Sequence, residues 1–222
     1  MKTLEILFID DHPMIVQGYE LTLQNWKRHK VNIHTQTNLD DAYDYIINEN
    51  SLDKFDIIFF DISMSDSVKY NITNGVKLAS MVKEKTSHPK LAFLTMIDDQ
   101  ILIDTIIKDI NPDGILIKLE VGPKELKNSV IEILNTPPCY SPSIKEKIRS
   151  KINSNIFLDD KDKLILHCLN KGDLTKNLHI NDGINLTQRA IEKRKRKIKI
   201  LFGVENKSDI GLIEEAKKRG FL

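Results

Sequence analysis

Four apolar residues, Ile57, Ile58, Phe59 and Phe60, stand together, with Phe55 just ahead of them and Asp61 directly behind. The run is too short for an independent helix. Its β-branched and aromatic side chains suit a strand buried on both faces, the pattern of a central strand in a parallel sheet. In open α/β sheets, ligands bind in the crevice beyond the carboxyl ends of the strands. Asp61 is therefore a carboxylate offered to solvent on a rigid base. Alone it reads as a turn or helix-capping aspartate, so the ends of the other strands decide what it is.

Strands are predicted at residues 4–9, 31–35, 90–95 and 114–118, besides the one that ends at Asp61. Between and after them the periodicity predicts helices from His12-Pro13 to about Lys27, then at 39–47, 75–84, 98–108 and 123–134. Pro13 sits in a first turn, where its missing N–H is harmless. Asn38 or Asp40 is the expected cap of the second helix. Five strands alternating with five helices make a doubly wound five-stranded parallel sheet, an α/β fold of the flavodoxin-like order 2-1-3-4-5. In that order the first and third strands are neighbours at the switch point. Asp10-Asp11, Asp61, Thr95 and Lys118 then come together at four strand ends. Three carboxylates in one crevice repel unless a cation joins them. A hard divalent ion with oxygen ligands, Mg2+ or Mn2+, is the natural neutraliser. Asp61 is placed to attack phosphorus as a nucleophile, the metal to shield the repulsion, and Thr95 and Lys118 to bind the remaining phosphoryl oxygens.

These residues, in this order, resemble the receiver domain of two-component response regulators over residues 1–135. The resemblance implies that a sensor histidine kinase phosphorylates Asp61. It also implies that Asp10 and Asp11 hold Mg2+ with the backbone carbonyl of Ser63, and that the chain is not an enzyme in its own right. Departures from the family pattern are Ile115 at a position usually aromatic, Ser65 for a common Pro, Met96 for a small residue and Leu119 for a frequent Pro. The loop at 65–73 is also several residues longer than usual, which carries the expected glycine out to Gly75. An enzyme that turns over through an aspartyl phosphate, of the haloacid-dehalogenase type, needs a second Asp as general acid; Asp61-Ile62-Ser63 has none.

Charge divides the chain. Residues 1–144 hold 14 Lys/Arg against 21 Asp/Glu, and residues 145–222 hold 19 against 11. The acidic part suits a cation, the basic part a polyanion, and the split implies two domains with different partners. There is no apolar run of membrane-spanning length and no signal peptide ahead of the first strand, so no membrane partner is expected. Cys139 and Cys168 match no metal-ligand spacing and read as free thiols of a cytoplasmic protein.

Thr136-Pro137-Pro138-Cys139-Tyr140-Ser141-Pro142 reads as irregular. It opens a linker, residues 136–156, with a short amphipathic helix at 143–152 and a break at Asn153-Ser154-Asn155. Residues 157–222 read as a small all-α domain. Asp159-Asp160 caps a helix that Gly172 ends. A weak helix at 174–180 and an Asp182-Gly183 turn follow. Thr187 then caps a long helix with Leu186, Ile191, Ile198 and Leu201 or Phe202 inward, and Ser208 caps the last. Leu186-Thr187, Ile191, Ile198, the run from Phe202 to Ser208, and Ala216 with Gly220-Phe221 resemble the LuxR-type (NarL/FixJ) helix-turn-helix. That resemblance implies a transcription factor binding double-stranded DNA, with phosphorylation promoting a homodimer that pairs its last helices. Thr187, Gln188, Arg189, Glu192, Lys193 and Arg196 are then the residues facing DNA, with Arg189 and Lys193 best suited to base edges. The helix before Thr187 departs from the family at Lys176-Asn177-Leu178-His179. The alternative reading is a protein- or RNA-interaction module without sequence-specific DNA binding.

Overall fold

The computed structural model describes residues 3–48, 52–96, 99–153, 156–173, 178 and 185–222. The chain divides into two compact units, Met1–Asp98 with Thr105–Ile144, and Asp99–Asp104 with Lys145–Leu222.

The first unit is built on one parallel sheet. Its strands are β1 (Leu4–Ile9), β2 (Val31–Gln36), β3 (Ile57–Phe60), β4 (Lys90–Thr95), β5 (Gly114–Ile117) and β6 (Cys139–Tyr140), in the order β2-β1-β3-β4-β5-β6. No residue of β3 is more than 1% exposed, as its unbroken apolar run requires. Phe8 of β1 stacks between Phe59 and Tyr19, with ring centroids 4.9 and 5.5 Å away.

β6 corrects the expectation that the proline-rich stretch is irregular and adds a sixth strand to the five expected. Cys139 and Tyr140 lie between the prolines and keep their amides. The Cys139 N–H donates to the Asp113 carbonyl at 2.9 Å, and the Ser141 N–H to Ile115 at 3.0 Å. An edge strand tolerates flanking prolines because only one side of it pairs.

The helices of this unit are α1 (Pro13–Gln24), α2 (Leu39–Tyr43), α3 (Gly75–Lys85), α4 (Gln100–Asp109, its residues up to Asp104 grouped with the second unit) and α5 (Pro123–Asn135). α1 stops three residues before the predicted Lys27. Asn38, not Asp40, caps α2, its side-chain oxygen accepting from the Asp41 N–H at 2.8 Å. The second helix continues to Asn48, but from Asp44 onward as a π-helical turn. The long loop after β3 folds onto this region. Ser67 and Ile72 exchange backbone hydrogen bonds (2.7 and 3.1 Å), and Ile72 is buried. Tyr70 stacks on Tyr43 at 4.1 Å, and its hydroxyl donates to Asp44. Lys69 pairs with the other Asp44 oxygen at 2.9 Å, and the Ser67 hydroxyl donates to Asp40.

The second unit is helical: α6 (Pro142–Asn153, its first turn grouped with the sheet), α7 (Asp160–Asn170), α8 (Gln188–Phe202) and α9 (Asp209–Lys218). The expected caps are in place. Asp159, Thr187 and Ser208 accept from the amides of Asp162, Ala190 and Gly211 at 2.9, 3.3 and 3.3 Å. Gly203 ends α8 with φ +70°, and the Val204 N–H closes back onto Lys199 at 2.9 Å, a turn that favours glycine. Ile165, Leu166, Ile191, Ile198, Leu212 and Ala216 are fully buried in one core. Phe202 completes the stripe of α8, while Leu201 faces outward. Apart from Leu178, the weak helix at 174–180 lies outside the described residues, as do Asp182-Gly183, Ser154 and Asn155.

Candidate functional site

Parallel pairing sets the strand ends of the first unit level with one another. Ile9 is registered with Phe60, and the Asp61 N–H donates to the Ile9 carbonyl at 2.8 Å, so Asp10 and Asp61 leave the sheet side by side. Thr95 is registered with Ile117, which puts Lys118 just beyond β5 next to the end of β4. The β6 edge supports that last placement, since the Ile117 N–H donates to Ser141 Oγ at 2.8 Å.

The side chains then converge. Lys118 Nζ lies 2.7 Å from Asp10 Oδ2 and 2.9 Å from Asp61 Oδ2, with all three side chains buried. Thr95 is fully buried at the same edge. Asp11 projects further out and is partly exposed. Ser63 is exposed in the turn after β3, and its N–H donates to Asp61 Oδ1 at 3.3 Å. Lys118 is thus fixed between two buried carboxylates, a geometry in which removal of one partner leaves the others uncompensated.

His12 joins the cluster, a residue that sequence reasoning used only to start a helix. Its Nδ1 lies 2.8 Å from Asp11 Oδ1, 3.2 Å from Asp10 Oδ1 and 3.8 Å from Asp61 Oδ2. The signal for it was adjacency, because it directly follows Asp10-Asp11 and Pro13 fixes the turn. The ligand-type atoms of Asp10, Asp11, His12 and Asp61 all lie within 4.8 Å of one another. Behind them Tyr19 is buried. Burial, then the charges of Asp10 and Asp61, push its phenol well above the ordinary tyrosine range, so it stays neutral.

Gly75 shows how closely the next helix approaches. A Cβ there would lie 1.8 Å from the backbone oxygen of Asp61. Ile115 is fully buried and registered with Phe93 and Tyr140, so no exposed ring stands at that position. Met14, Met96 and Leu119 are exposed by 81, 48 and 81%. Together with Lys118 they line an apolar cleft of about 390 Å3 beside the cluster.

The chain matches the response regulator receiver domain over residues 6–131. It belongs to the response regulator receiver family. The acidic cluster of this receiver therefore stands where the sequence placed it, on the strand ends of a flavodoxin-like sheet. No curated protein matches the sequence. Three solved structures are alike over 98% of this chain and 99% of their own. They are two RcsB dimers bound to two parallel DNAs (19% identity, TM-score 0.64), a two-component response regulator RcsB–DNA complex (19%, 0.63), and RcsB from Salmonella enterica serovar Typhimurium bound to a promoter with phosphomimetic BeF3 (16%, 0.63). At these identities the likeness establishes the fold, for the sheet and for the helical region after it.

In the second unit, the seven cations between Arg189 and Lys199 fall into two groups. Arg194 donates to Asp159 and to the fully buried Asp162, at 2.7 Å each. Lys195 and Lys199 pair with Asp209 at 3.1 and 3.0 Å, and Lys197 lies 3.5 Å from Asp162. Burial pushes the Asp209 carboxyl up, but hydrogen bonds from Lys199 and Lys195 outweigh it and hold the group below the usual carboxylate range. Lys195 and Lys199 thereby tie α8 to α9. Arg189, Lys193 and Arg196 are exposed and make no ion pair among the described residues. Thr187 and Gln188 are exposed beside them. Glu192 is exposed too and leans to Lys195 at 3.2 Å. All six residues expected to face DNA thus lie on the open side of α8.

Proposed function

We propose that the chain is a two-component response regulator and DNA-binding transcription factor, phosphorylated on Asp61 by a sensor histidine kinase. The observation that carries the reading is Lys118, buried between Asp10 and Asp61 at 2.7 and 2.9 Å on a sheet whose family is that of receivers. Asp61 attacks phosphorus, the bond to the donor imidazole nitrogen breaks, and that nitrogen leaves with the electron pair. Lys118 moves with the charge from carboxylate to phosphoryl oxygen, Thr95 offers a hydroxyl to another oxygen, and neutral Tyr19 backs the site without adding charge.

The residues fit a divalent metal. Three carboxylates supply hard oxygens, and Asp11 Oδ1 is buried with no hydrogen-bond donor, only the His12 ring nearby. Asp10 and Asp11 would hold Mg2+, with Asp61 and the Ser63 carbonyl. When bound, it would screen the repulsion between carboxylate and phosphoryl group. The exposed rim of Met14, Met96 and Leu119 gives a donor helix an adaptable apolar seat next to Asp61. A small phosphodonor with Mg2+ should label a single carboxylate, and Asp61→Asn should abolish labelling with the fold intact. Undiminished labelling of that variant sinks the assignment.

For the output, Thr187, Gln188, Arg189, Glu192, Lys193 and Arg196 form the DNA face, with Arg189 and Lys193 reading base edges. Ile210 of α9 is 70% exposed, an apolar residue suited to a second copy of the chain across a two-fold axis. The solved structures of similar fold are of RcsB on DNA, which supports this reading. Arg189→Ala should weaken binding to a selected duplex by roughly 1–3 kcal/mol and to random duplex little. A protein that binds neither duplex at low salt is an interaction module instead.

A further inference from the structure

The receiver unit is acidic, yet one recess in it is cationic. The turn after α1 and the outer side of α5 enclose an open cleft of about 930 Å3. Lys27 and Arg28 line it from the turn, Lys124 and Lys127 from α5, with Trp26 and His29 between them. These four cations are a large share of the 14 Lys/Arg in residues 1–144. None of the four side chains makes an ion pair or hydrogen bond with another described residue, whereas Lys69, Lys90 and Lys118 of the same unit each hold an aspartate within 3 Å. A single acid, Glu132, lines the cleft.

Four like charges in one recess repel, and a fold that only needed solubility would spread them or pair them. A concave site with low-dielectric walls focuses their field and concentrates anions. The cleft has no large exposed apolar side chain on its lining to enter a bilayer. A recess also suits a compact ligand better than the flat face of a protein. The Trp26 and His29 rings, with centroids 4.5 Å apart, add aromatic surface beside the charges.

We infer that this cleft binds a small, multiply charged phosphate anion, of the oligophosphate class that includes nucleoside triphosphates. Lys27 and Arg28 grip it from one wall and Lys124 and Lys127 from the other. Its lining shares no residue with the acidic cluster or with the apolar cleft beside it, so the site is separate from phosphoacceptance and does not depend on it.

The test uses the full chain carrying Arg189→Ala, Lys193→Ala and Arg196→Ala, which removes the unpaired cations of α8. Calorimetric titration with inorganic tripolyphosphate and with ATP, at low salt and without divalent metal, should give one site per chain. Binding should weaken several-fold between about 50 and 200 mM salt. Lys27→Ala with Arg28→Ala, and separately Lys124→Ala with Lys127→Ala, should each weaken it by about tenfold or more. Lys77→Ala with Lys85→Ala on α3 should leave it unchanged. Tighter binding of ATP than of tripolyphosphate makes the ligand a nucleotide, and equal binding makes it an inorganic oligophosphate. No binding at low salt, or binding that both cleft pairs leave intact, overturns the site. Labelling of Asp61 should be the same in every cleft variant; a parent that does not label counts against the receiver reading and leaves the cleft standing, while labelling lost only in the cleft variants overturns the separateness of the two sites.

Discussion

Lys118 and Gly75 hold the acidic cluster in different ways, one by charge and one by absence of bulk. Lys118→Ala leaves Asp10 and Asp61, 3 and 2% exposed, facing each other without their ammonium. Breaking a buried pair in this way should destabilise the metal-free protein by about 3–5 kcal/mol. Added Mg2+ should recover more stability in the variant than in the parent, because it becomes the only cation between the carboxylates. Denaturant midpoints with and without Mg2+ measure both effects; no gain in either protein argues against metal binding, and an equal gain in both means that Lys118 and the metal do not share the carboxylates. Gly75→Ala forces a methyl to within 1.8 Å of the Asp61 carbonyl oxygen, which only a shift of α3 or of the β3 end relieves. We expect a loss of about 1–3 kcal/mol together with slower labelling of Asp61, since the strand end itself must move. A stable variant that labels at the parental rate would show that α3 gives way without touching the acceptor. The sequence marked both residues, one by its strand end and one by its offset from Asp61. It did not mark His12 as part of the cluster, because proximity to three carboxylates at once is a property of the turn, not of any spacing.

Within α8 the residues divide by what they touch, and the division separates stability from recognition. Arg194→Ala strips buried Asp162 and the capping Asp159 of their common partner and should cost the helical unit about 3 kcal/mol. Hydrogen exchange of α7 and α8 amides reads this locally. The pH dependence carries a sign. Burial pushes the Asp159 carboxyl up, but Arg194 and the Asp162 amide outweigh it and hold the group below its ordinary value. The stability it contributes is therefore fully present above about pH 4 and is lost as pH falls through the depressed value. In Arg194→Ala that acid limb should flatten, while Arg189→Ala leaves it unchanged. The helical spacing already set Arg189, Lys193 and Arg196 outward, opposite Ile191 and Ile198, but it did not show which acids hold the other four cations, because whether a lysine faces Asp209 or water depends on the neighbouring helix. The same limit explains β6. Prolines on both sides hid two residues whose amides were free to pair with β5. It also explains the π-helical turn at Asp44, a residue engaged by both Tyr70 and Lys69 from a loop with no periodicity of its own. Elements whose burial is uniform or periodic, such as β3, α5 and the inward stripe of α8, were legible because the solvent boundary is written into their order.

Over the whole chain, charge sets how the proposed phosphorylation would act on the proposed DNA binding. Residues 1–144 are acidic and residues 145–222 basic, so a duplex is attracted by one part of the chain and repelled by the other. A phosphoryl group adds about two negative charges to the acidic part. Taken as charge alone, it weakens DNA binding slightly, and more so at low salt where screening is least. If phosphorylation strengthens binding, the gain must come from assembly, two chains engaging two half-sites so that the second contact is intramolecular. The effect should then depend on the DNA. On an inverted repeat, phosphorylated protein should bind at least tenfold tighter than unphosphorylated protein, with a binding curve steeper in protein concentration. On an isolated half-site the two forms should bind alike, or the phosphorylated form a little more weakly. Ile210→Glu on α9 should abolish the gain on the repeat and spare half-site binding, because it places charge on the exposed apolar position available for pairing. Fluorescence anisotropy on the two duplexes across salt concentrations separates the cases. An equal gain on half-site and repeat would mean that phosphorylation acts within one chain, and the pairing role given to α9 would fall.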